Sequence, residues 1–166
     1  MSTKEIIWIG RGGQGAFTAA KLMGAACTEG YSLAFPTFGP ERRGAPVRAF
    51  TKLSDTPVTD RSQTAAADCI AVLDKTLFTP ELFSLLKEGG KLIVNSADET
   101  EGAVSFDADS TAAELRLPVV NTVMLAYVGK LTGLITKEQI FAAIDGYMPE
   151  RLREKNKKAV ERVFEG

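Results

Sequence analysis

The chain alternates short apolar runs with segments in which apolar residues recur at helical spacing. Runs of strand character occupy residues 6–9, 31–35, 47–53, 69–73 and 91–95, with shorter candidates at 103–106 and 118–120. The run 69–73 is apolar throughout, which is typical of a strand buried in a parallel sheet. This alternation predicts an α/β fold, a Rossmann-like, mostly parallel sheet with helices on both faces.

Helical spacing and cap residues predict where the helices lie. Helices are expected at residues 16–27, 80–86, 111–115, 123–131, 137–144 and 150–164. Gly89-Gly90 is expected to stop the second of them. Thr136, followed three residues later by Gln139, forms a capping box that opens the helix 137–144.

The last predicted helix carries many charges and one polar residue on its inward side. Pairs such as Glu154 with Lys158 are typical of a solvated helix face. Asn156 falls one turn after Leu152, where a carboxamide needs a hydrogen-bond partner. We expect Asn156 to tie the helix to a loop or to contact a partner subunit.

The first strand runs into the glycine-rich segment Gly-Arg-Gly-Gly-Gln-Gly at residues 10–15. Gly10, Gly12 and Gly15 fit the spacing G-x-G-x-x-G, and a helix is predicted to follow at once. Unpaired N–H groups and the positive end of a helix dipole would favour a phosphate or another anion there. The alternative is a tight turn that uses glycine for positive φ and close packing and binds nothing.

Ordinary nicotinamide binding makes a further demand on the sequence. It requires a carboxylate about 20 residues after the glycines, at the end of the second strand, to hold the ribose hydroxyls. The second apolar run, 31–35, is followed by Pro36 and contains no Asp or Glu, and the next acidic residue is Glu41. An unusual ligand or an unusual pose is therefore favoured over ordinary NAD.

A second informative segment follows at residues 38–50. Arg42 and Arg43 lie between Gly39-Pro40 and Gly44-Ala45-Pro46, so proline and glycine make the loop stiff and sharply turned. The planar guanidinium group suits phosphate or carboxylate. Because the loop follows the second strand, we expect it on the same side of the sheet as the glycines. The alternative is a solvated loop in which Glu41 pairs with one of the arginines.

Two polar residues come at predicted strand ends. Asp74 follows the strand 69–73 and is expected to cap residues 76–78, although it could instead face the crevice. Asn121 and Thr122 come where a strand ends and a helix starts, so either side-chain oxygen could cap that helix. Asn121 could also reach into the crevice, because strand ends collect at the ligand side of such sheets.

Composition limits the classes of function. A chain of 166 residues is ordinary for one domain, and we expect a single domain over residues 1–166. A net charge of −1 without a long basic run gives no support to nucleic-acid binding. The sequence contains no apolar stretch of spanning length and no basic-then-apolar leader, so we expect no membrane insertion and a cytoplasmic location.

Cysteine and histidine usage narrows the chemistry further. Cys27 and Cys69 are too few and too far apart to ligate an iron–sulfur cluster, and we expect them to be small buried hydrophobes. The chain has no histidine, which excludes Ser-His nucleophilic catalysis and histidine-ligated metals. It lacks the usual equipment of a self-sufficient enzyme, and none of its residues is assigned proton transfer.

These motifs together resemble a known family. The glycine segment 10–15, Ala34-Phe35-Pro36, the segment 38–48 with its adjacent arginines, and Asn121-Thr122 with Met124-Leu125 resemble the gamma subunit of the 2-oxoacid:ferredoxin oxidoreductases. That family includes the pyruvate, 2-oxoisovalerate and 2-oxoglutarate enzymes. The resemblance extends over essentially the whole chain, and the combination of the two loop motifs is far more specific than the glycines alone.

The resemblance implies a subunit of a multi-chain enzyme that oxidatively decarboxylates a 2-oxoacid to an acyl-CoA and passes electrons to ferredoxin or another acceptor. It implies alpha, beta and delta-type partner subunits that hold thiamine diphosphate and the iron–sulfur clusters. The gamma part is associated with coenzyme A (CoA), which this chain would help to position. The residues expected to contact it are Gly10, Gly12, Gly13, Gln14, Gly15, Arg42, Arg43 and Asn121.

Two other interpretations stay open at the level of sequence. One is an independent oxidoreductase domain that binds NAD(P) or a flavin in the glycine turn. The other is a purely structural subunit, required for assembly without contacting a ligand. The identity of the 2-oxoacid is expected to be decided largely in other chains.

Overall fold

The structure, a computed structural model, describes residues 3–37 and 44–166. Within these ranges the chain forms one mixed sheet in the order β2-β3-β1-β4-β5-β6. The strands are β1 (Lys4–Arg11), β2 (Tyr31–Pro36), β3 (Pro46–Ser54), β4 (Ala67–Val72), β5 (Leu86–Asn95) and β6 (Val104–Phe106).

The antiparallel direction of β3 relative to β2 follows from the short connection between them. β1, β4, β5 and β6 run parallel, whereas β3 is antiparallel to both of its neighbours, β1 and β2. Only residues 37–45 connect β2 to β3. A parallel pairing needs a crossover of a dozen or more residues, so this short connection imposes the antiparallel arrangement. The predicted α/β fold with a mostly parallel sheet is confirmed, with β3 as its antiparallel member.

The two faces of the sheet are covered differently. The α-helices α1 (Ala16–Ala26), α2 (Ala108–Glu114), α3 (Asn121–Thr132), α4 (Lys137–Tyr147) and α5 (Glu150–Glu165) contribute to one core. Ile6 and Trp8 of β1 point into that core, and Ile7 and Ile9 point to the other face. There the 3₁₀ helices Lys75–Leu77 and Pro80–Leu85 cover a smaller apolar layer.

The predicted helix stop at Gly89-Gly90 and the predicted strand 118–120 are wrong. Gly89-Gly90 does not stop a helix, because β5 begins at Leu86 and runs through both glycines, where its pairing with β4 shifts register. Gly89 has φ +79°, so the flexible pair accommodates the irregularity. Residues 118–120 form no strand; Val120 is the N-cap of α3 and neither Asn121 nor Thr122 caps it.

Other local predictions are confirmed. The capping box is formed, since Thr136 Oγ1 accepts from the Gln139 backbone and Gln139 Oε1 accepts from the Thr136 backbone. Lys158 Nζ lies 3.3 Å from Glu154 Oε1 on the exposed face of α5. The tie to a loop expected of Asn156 is not seen for its amide donor. Asn156 is buried, but its Nδ2 donates to Leu152 O of its own helix at 2.8 Å; contact with a partner subunit stays a prediction.

Among the helices of residues 3–37 and 44–166, none is both long and apolar enough to cross a bilayer.

Candidate anion-binding site at the glycine turn

The glycine turn joins β1 to α1 through residues 12–15. Gly13 and Gly15 have φ values of 94° and 81°, a left-handed backbone that residues with a side chain rarely adopt. Gly10 serves a different purpose, because a Cβ there would lie 3.2 Å from Gln14 Oε1 and 3.5 Å from Leu73 Cβ. Positive φ and close packing, the two features of the alternative interpretation in which the turn binds nothing, are therefore present in this turn.

Backbone hydrogen bonds decide which N–H groups of the turn can meet a ligand. Gly12 N donates to Ala45 O at 2.8 Å, and Gln14 N donates to Arg11 O at 3.0 Å. The N–H groups of Gly13, Gly15 and residues 16–18 donate to no backbone acceptor within the described part of the chain. Those of residues 16–18 belong to the first turn of α1, which cannot pair them internally. The cradle thus consists of Gly13, Gly15 and the start of α1, without the N–H groups of Gly12 and Gln14.

Gln14 braces the turn from inside. Its Oε1 accepts from Arg11 N at 2.6 Å, and its Nε2 donates to Asp74 Oδ2 at 3.1 Å. Asp74 is the residue that the sequence placed at the end of β4, and it also caps the 3₁₀ helix at Lys75 as expected. The carboxylate therefore connects the glycine turn to the neighbouring strand end.

Arg11 lies beside the glycine turn, although the sequence analysis did not select it as a site residue. Its Nε lies 3.3 Å from Asp74 Oδ2, Nη2 donates to Thr76 Oγ1 at 2.8 Å, and Nη1 donates to Gly44 O at 3.1 Å. The sequence signal was its position inside the glycine motif, next to the residues already selected.

The environment of Asp74 favours its charged form. Burial alone would raise the pKa of this carboxyl, but the hydrogen bonds from Thr76 and Gln14 and the Arg11 guanidinium outweigh it and hold the pKa below its ordinary value. Asp74 is therefore a carboxylate at neutral pH, and its negative charge balances the positive charge of Arg11.

Asn121 lies against the glycine turn, as the sequence suggested. Its Nδ2 is 3.4 Å from Gly15 O, and its Oδ1 accepts from Thr122 N at 2.9 Å. Asn121 is only 7% exposed, and it is the first residue of α3. The starts of α1 and α3 are thus neighbours, and the positive ends of both helices lie beside the same turn.

Arg42 and Arg43 lie outside the described residues. The chain on their C-terminal side is fixed beside the glycines, because Gly44 N donates to Gly12 O at 3.1 Å and Gly12 N donates to Ala45 O. On the N-terminal side Thr37 N donates to Arg48 O at 2.8 Å. The expectation that this loop leaves the sheet at the glycine edge holds for both of its described ends.

Cys69 has the buried character expected of both cysteines, whereas Cys27 is only partly buried. Cys69 is fully buried, and burial raises the pKa of its thiol to about 12. Burial, with a smaller contribution from Glu29, also raises the pKa of Cys27. Among residues 3–37 and 44–166 there is no group of three Cys, Asp or Glu arranged to hold a metal ion.

The arrangement as a whole combines N–H groups without a backbone acceptor among the described residues with two neighbouring helix starts, whose dipoles favour an anion. A family model described as pyruvate ferredoxin/flavodoxin oxidoreductase matches residues 5–166. The chain belongs to this family. The match includes the glycine turn, Asp74 and Asn121, so the candidate site lies within the family's common region.

Curated and solved relatives of the family agree on the type of subunit. The common gamma subunit of the pyruvate/ketoisovalerate oxidoreductases of Thermococcus kodakarensis is 43% identical over 175 residues, covering 96% of this chain and 95% of that one. The crystal structure of the pyruvate oxidoreductase subunit PORC of Thermotoga maritima has a TM-score of 0.83 at 32% identity, covering 99% and 97% of the two chains. This chain is a gamma-type subunit of a multi-subunit 2-oxoacid oxidoreductase.

A more distant structure shows the same fold inside a longer chain. It is a 2-oxoglutarate:ferredoxin oxidoreductase from Magnetococcus marinus with 2-oxoglutarate, coenzyme A and succinyl-CoA bound. The TM-score is 0.77 at 20% identity, covering 98% of this chain and 30% of that one. At this identity the likeness establishes the fold alone.

Proposed function

We propose that this gamma subunit binds an anionic part of coenzyme A at the glycine turn and thereby helps to position the thiol that accepts the acyl group. The observation that carries the proposal is the set of N–H groups of Gly13, Gly15 and residues 16–18, which no backbone acceptor in the described chain takes up. Such groups at a helix start bind phosphate, and CoA is rich in phosphate.

The surroundings of the turn support an anionic ligand. Asn121 brings the start of α3 next to Gly15, so two helix dipoles act on one place. Arg11 and Asp74 neutralise each other, which leaves the backbone groups as the local source of positive potential. Arg42 and Arg43 are part of the proposal on the sequence evidence alone, as guanidinium groups for a phosphate.

The proposed work of this chain is binding and orientation. Positioning a thiol acceptor raises its effective concentration at the reacting centre. Thiamine diphosphate and iron–sulfur clusters in alpha, beta and delta-type partners would carry the decarboxylation and the electron transfer to ferredoxin or another acceptor. A cytoplasmic location is part of the same proposal.

The first test is purification of the intact complex from the native source under anaerobic conditions. We expect thiamine-diphosphate and cluster-binding chains to co-purify, identified by mass spectrometry, with 2-oxoacid oxidation that depends on added CoA. Recovery of the chain alone with bound NAD(P) or flavin would contradict the proposal.

The NAD(P) alternative needs an acidic residue at the end of β2 to hold the ribose. β2 and Thr37 contain no acidic residue, as the sequence indicated.

The second test measures CoA binding in the assembled enzyme. We expect Arg43→Ala to raise the KM for CoA by roughly tenfold, the order expected for losing one charge-assisted hydrogen bond, without changing the KM for the 2-oxoacid. Arg61→Ala is the matched control, because Arg61 is exposed in the connection between β3 and β4. An unchanged KM for CoA together with failed assembly would instead favour a purely structural subunit.

A further inference from the structure

We infer that Asp74 is a positioning residue, which acts through Gln14 and Arg11 to hold the glycine turn in its ligand-binding conformation. The inference rests on the proposed CoA role of the turn for its functional consequence. Its structural basis is independent of the ligand, because every contact involved lies within the described chain.

The two oxygens of Asp74 have separate partners. Oδ1 accepts from Thr76 N at 3.0 Å and from Thr76 Oγ1 at 2.6 Å, which fixes the orientation of the carboxylate. Oδ2 is thereby directed at the glycine turn, where it accepts from Gln14 Nε2 at 3.1 Å and lies 3.3 Å from Arg11 Nε. A capping residue needs only the first set of contacts, and the second set is specific to the turn.

Arg11 contacts the protein through all three of its guanidinium nitrogens. Their partners are the Asp74 carboxylate, Thr76 Oγ1 and Gly44 O. An arginine inside an anion-binding motif would ordinarily be assigned to the anion. Here its charge is paired with Asp74, so Arg11 joins the turn to the residues after β4 and to the chain at Gly44.

The turn needs such support because of its own flexibility. Gly13 and Gly15 have no side chains to limit their backbone, and both adopt positive φ. Gln14 stands between them, and its amide spans from Arg11 N to Asp74. Without Asp74 the Gln14 amide keeps only its bond from Arg11 N, and the N–H groups of the two glycines are held less firmly in one direction.

Asp107 offers a matched control for the loss of a cap. It caps α2 by accepting from Ser110 N at 3.1 Å and from Ser110 Oγ at 2.6 Å, the same local pattern as Asp74 with Thr76. Both contacts lie within the first turn of α2. Asp107→Ala therefore removes an equivalent cap without touching the glycine turn.

The experiment compares Asp74→Ala with Asp107→Ala in the assembled enzyme by two readouts. The first is backbone amide hydrogen exchange of a peptide covering residues 9–17, in which the hydrogen-bonded amides of Arg11, Gly12 and Gln14 report on the turn. We expect exchange roughly tenfold faster in Asp74→Ala, because a charge-assisted hydrogen bond is lost, and no change in Asp107→Ala. The second readout is the KM for CoA, expected to rise only in Asp74→Ala with kcat little changed.

The outcomes separate the inference from the proposal on which it rests. Unchanged exchange at residues 9–17 in Asp74→Ala would overturn the positioning role. Faster exchange with an unchanged KM for CoA would support the role of Asp74 in the turn. It would contradict the proposal that CoA binds at the turn. If Asp74→Ala does not assemble, Asp74→Asn takes its place. The asparagine amide oxygen can still accept from Thr76, but the charge opposite Arg11 is lost. Unchanged exchange at residues 9–17 in Asp74→Asn would equally overturn the inference.

Discussion

Gly15 and Asn121 lie so close together that a side chain on Gly15 could not be accommodated. A Cβ built on Gly15 would lie 2.9 Å from Asn121 Cγ and closer still to Nδ2. Gly15 is the N-cap of α1 and Asn121 is the first residue of α3, and the two are 106 positions apart in the chain. This one contact therefore sets the distance between the two helix starts that face the candidate site.

We expect Gly15→Ala to destabilise the protein for two separable reasons. Left-handed backbone costs a residue with a side chain about 1–2 kcal/mol, and the contact with Asn121 adds a steric cost. Denaturant unfolding measures the sum.

Gly133→Ala is the control for the backbone cost. Gly133 also has positive φ, +70°, but a Cβ there meets nothing within 4 Å. The excess loss in Gly15→Ala over Gly133→Ala should fall when Asn121→Ala is added, as a double-mutant cycle would show. Equal losses at the two glycines would contradict the steric account.

Two buried threonines should respond oppositely to replacement by valine. Thr51 Oγ1 accepts from Trp8 Nε1 at 3.0 Å and donates to Ala20 O at 2.9 Å, whereas Thr122 Oγ1 is buried without a partner among the described residues. We expect Thr51→Val to cost about 2 kcal/mol, because two buried polar groups lose their partner. Thr122→Val should be neutral or slightly stabilising in the same unfolding measurement. A large loss on Thr122→Val would show that its hydroxyl has a partner in the assembled protein.

The buried side chain of Lys52 binds the connection between β3 and β4 to the sheet. The side chain of Lys52 is 4% exposed; its Nζ donates to Asp60 O at 3.0 Å and Ser62 O at 2.8 Å and lies 3.6 Å from Glu5 Oε1. Lys52→Met keeps the length of the side chain and removes the charge.

We expect Lys52→Met to cost about 2 kcal/mol of unfolding free energy, because two carbonyl groups lose a hydrogen-bond donor and Glu5 loses its positive partner. Proteolysis within residues 55–66 should become faster at the same time. Lys91→Ala is the control, since Lys91 is exposed on β5 and surface substitutions usually change stability by less than about 0.5 kcal/mol. A similar stability of the two variants would show that the network contributes little.

Much of the fold could be predicted from local signals. The turn glycines, the capping box at Thr136 and the alternation of apolar runs are short-range features, and each formed the expected element. Asp74 was expected to cap, and it does. Its additional contact with Gln14 spans 60 positions, so no local pattern could have shown it.

The predictions that failed depended on context beyond the local sequence. Gly89-Gly90 looks like a helix stop, but its place is decided by the pairing of β5 with β4. Val119-Val120 has strand propensity, yet residues 118–120 pair with no strand and instead lead into α3. Tertiary pairing overrides propensity in both cases.

The same carboxylate that supports the glycine turn should make stability depend on pH at the acid end. The pKa of Asp74 is lowered in the folded protein, whereas the unfolded chain has the ordinary aspartate value of about 3.9. The unfolded state therefore binds the proton more readily. The stabilisation from Asp74 is fully present above that value and is lost as the pH falls through the lower folded pKa. The charged group that faces this carboxyl is Arg11, whose Nε lies 3.3 Å from Asp74 Oδ2.

We expect Asp74→Asn to have a lower melting temperature than the original protein at pH 7 and a smaller deficit at pH 3, because at pH 3 this aspartate binds a proton in the unfolded chain, which removes part of the stabilisation that its lowered folded pKa provides. Thermal unfolding followed by circular dichroism at several pH values between 7 and 3 measures the difference. Glu99→Gln is the control, since Glu99 is exposed and a neutralised surface carboxyl should shift the melting temperature little at any pH. A deficit for Asp74→Asn that stays constant down to pH 3 would mean that the charge of Asp74 does not stabilise the fold, and that its hydrogen bonds to Thr76 and Gln14 act without it.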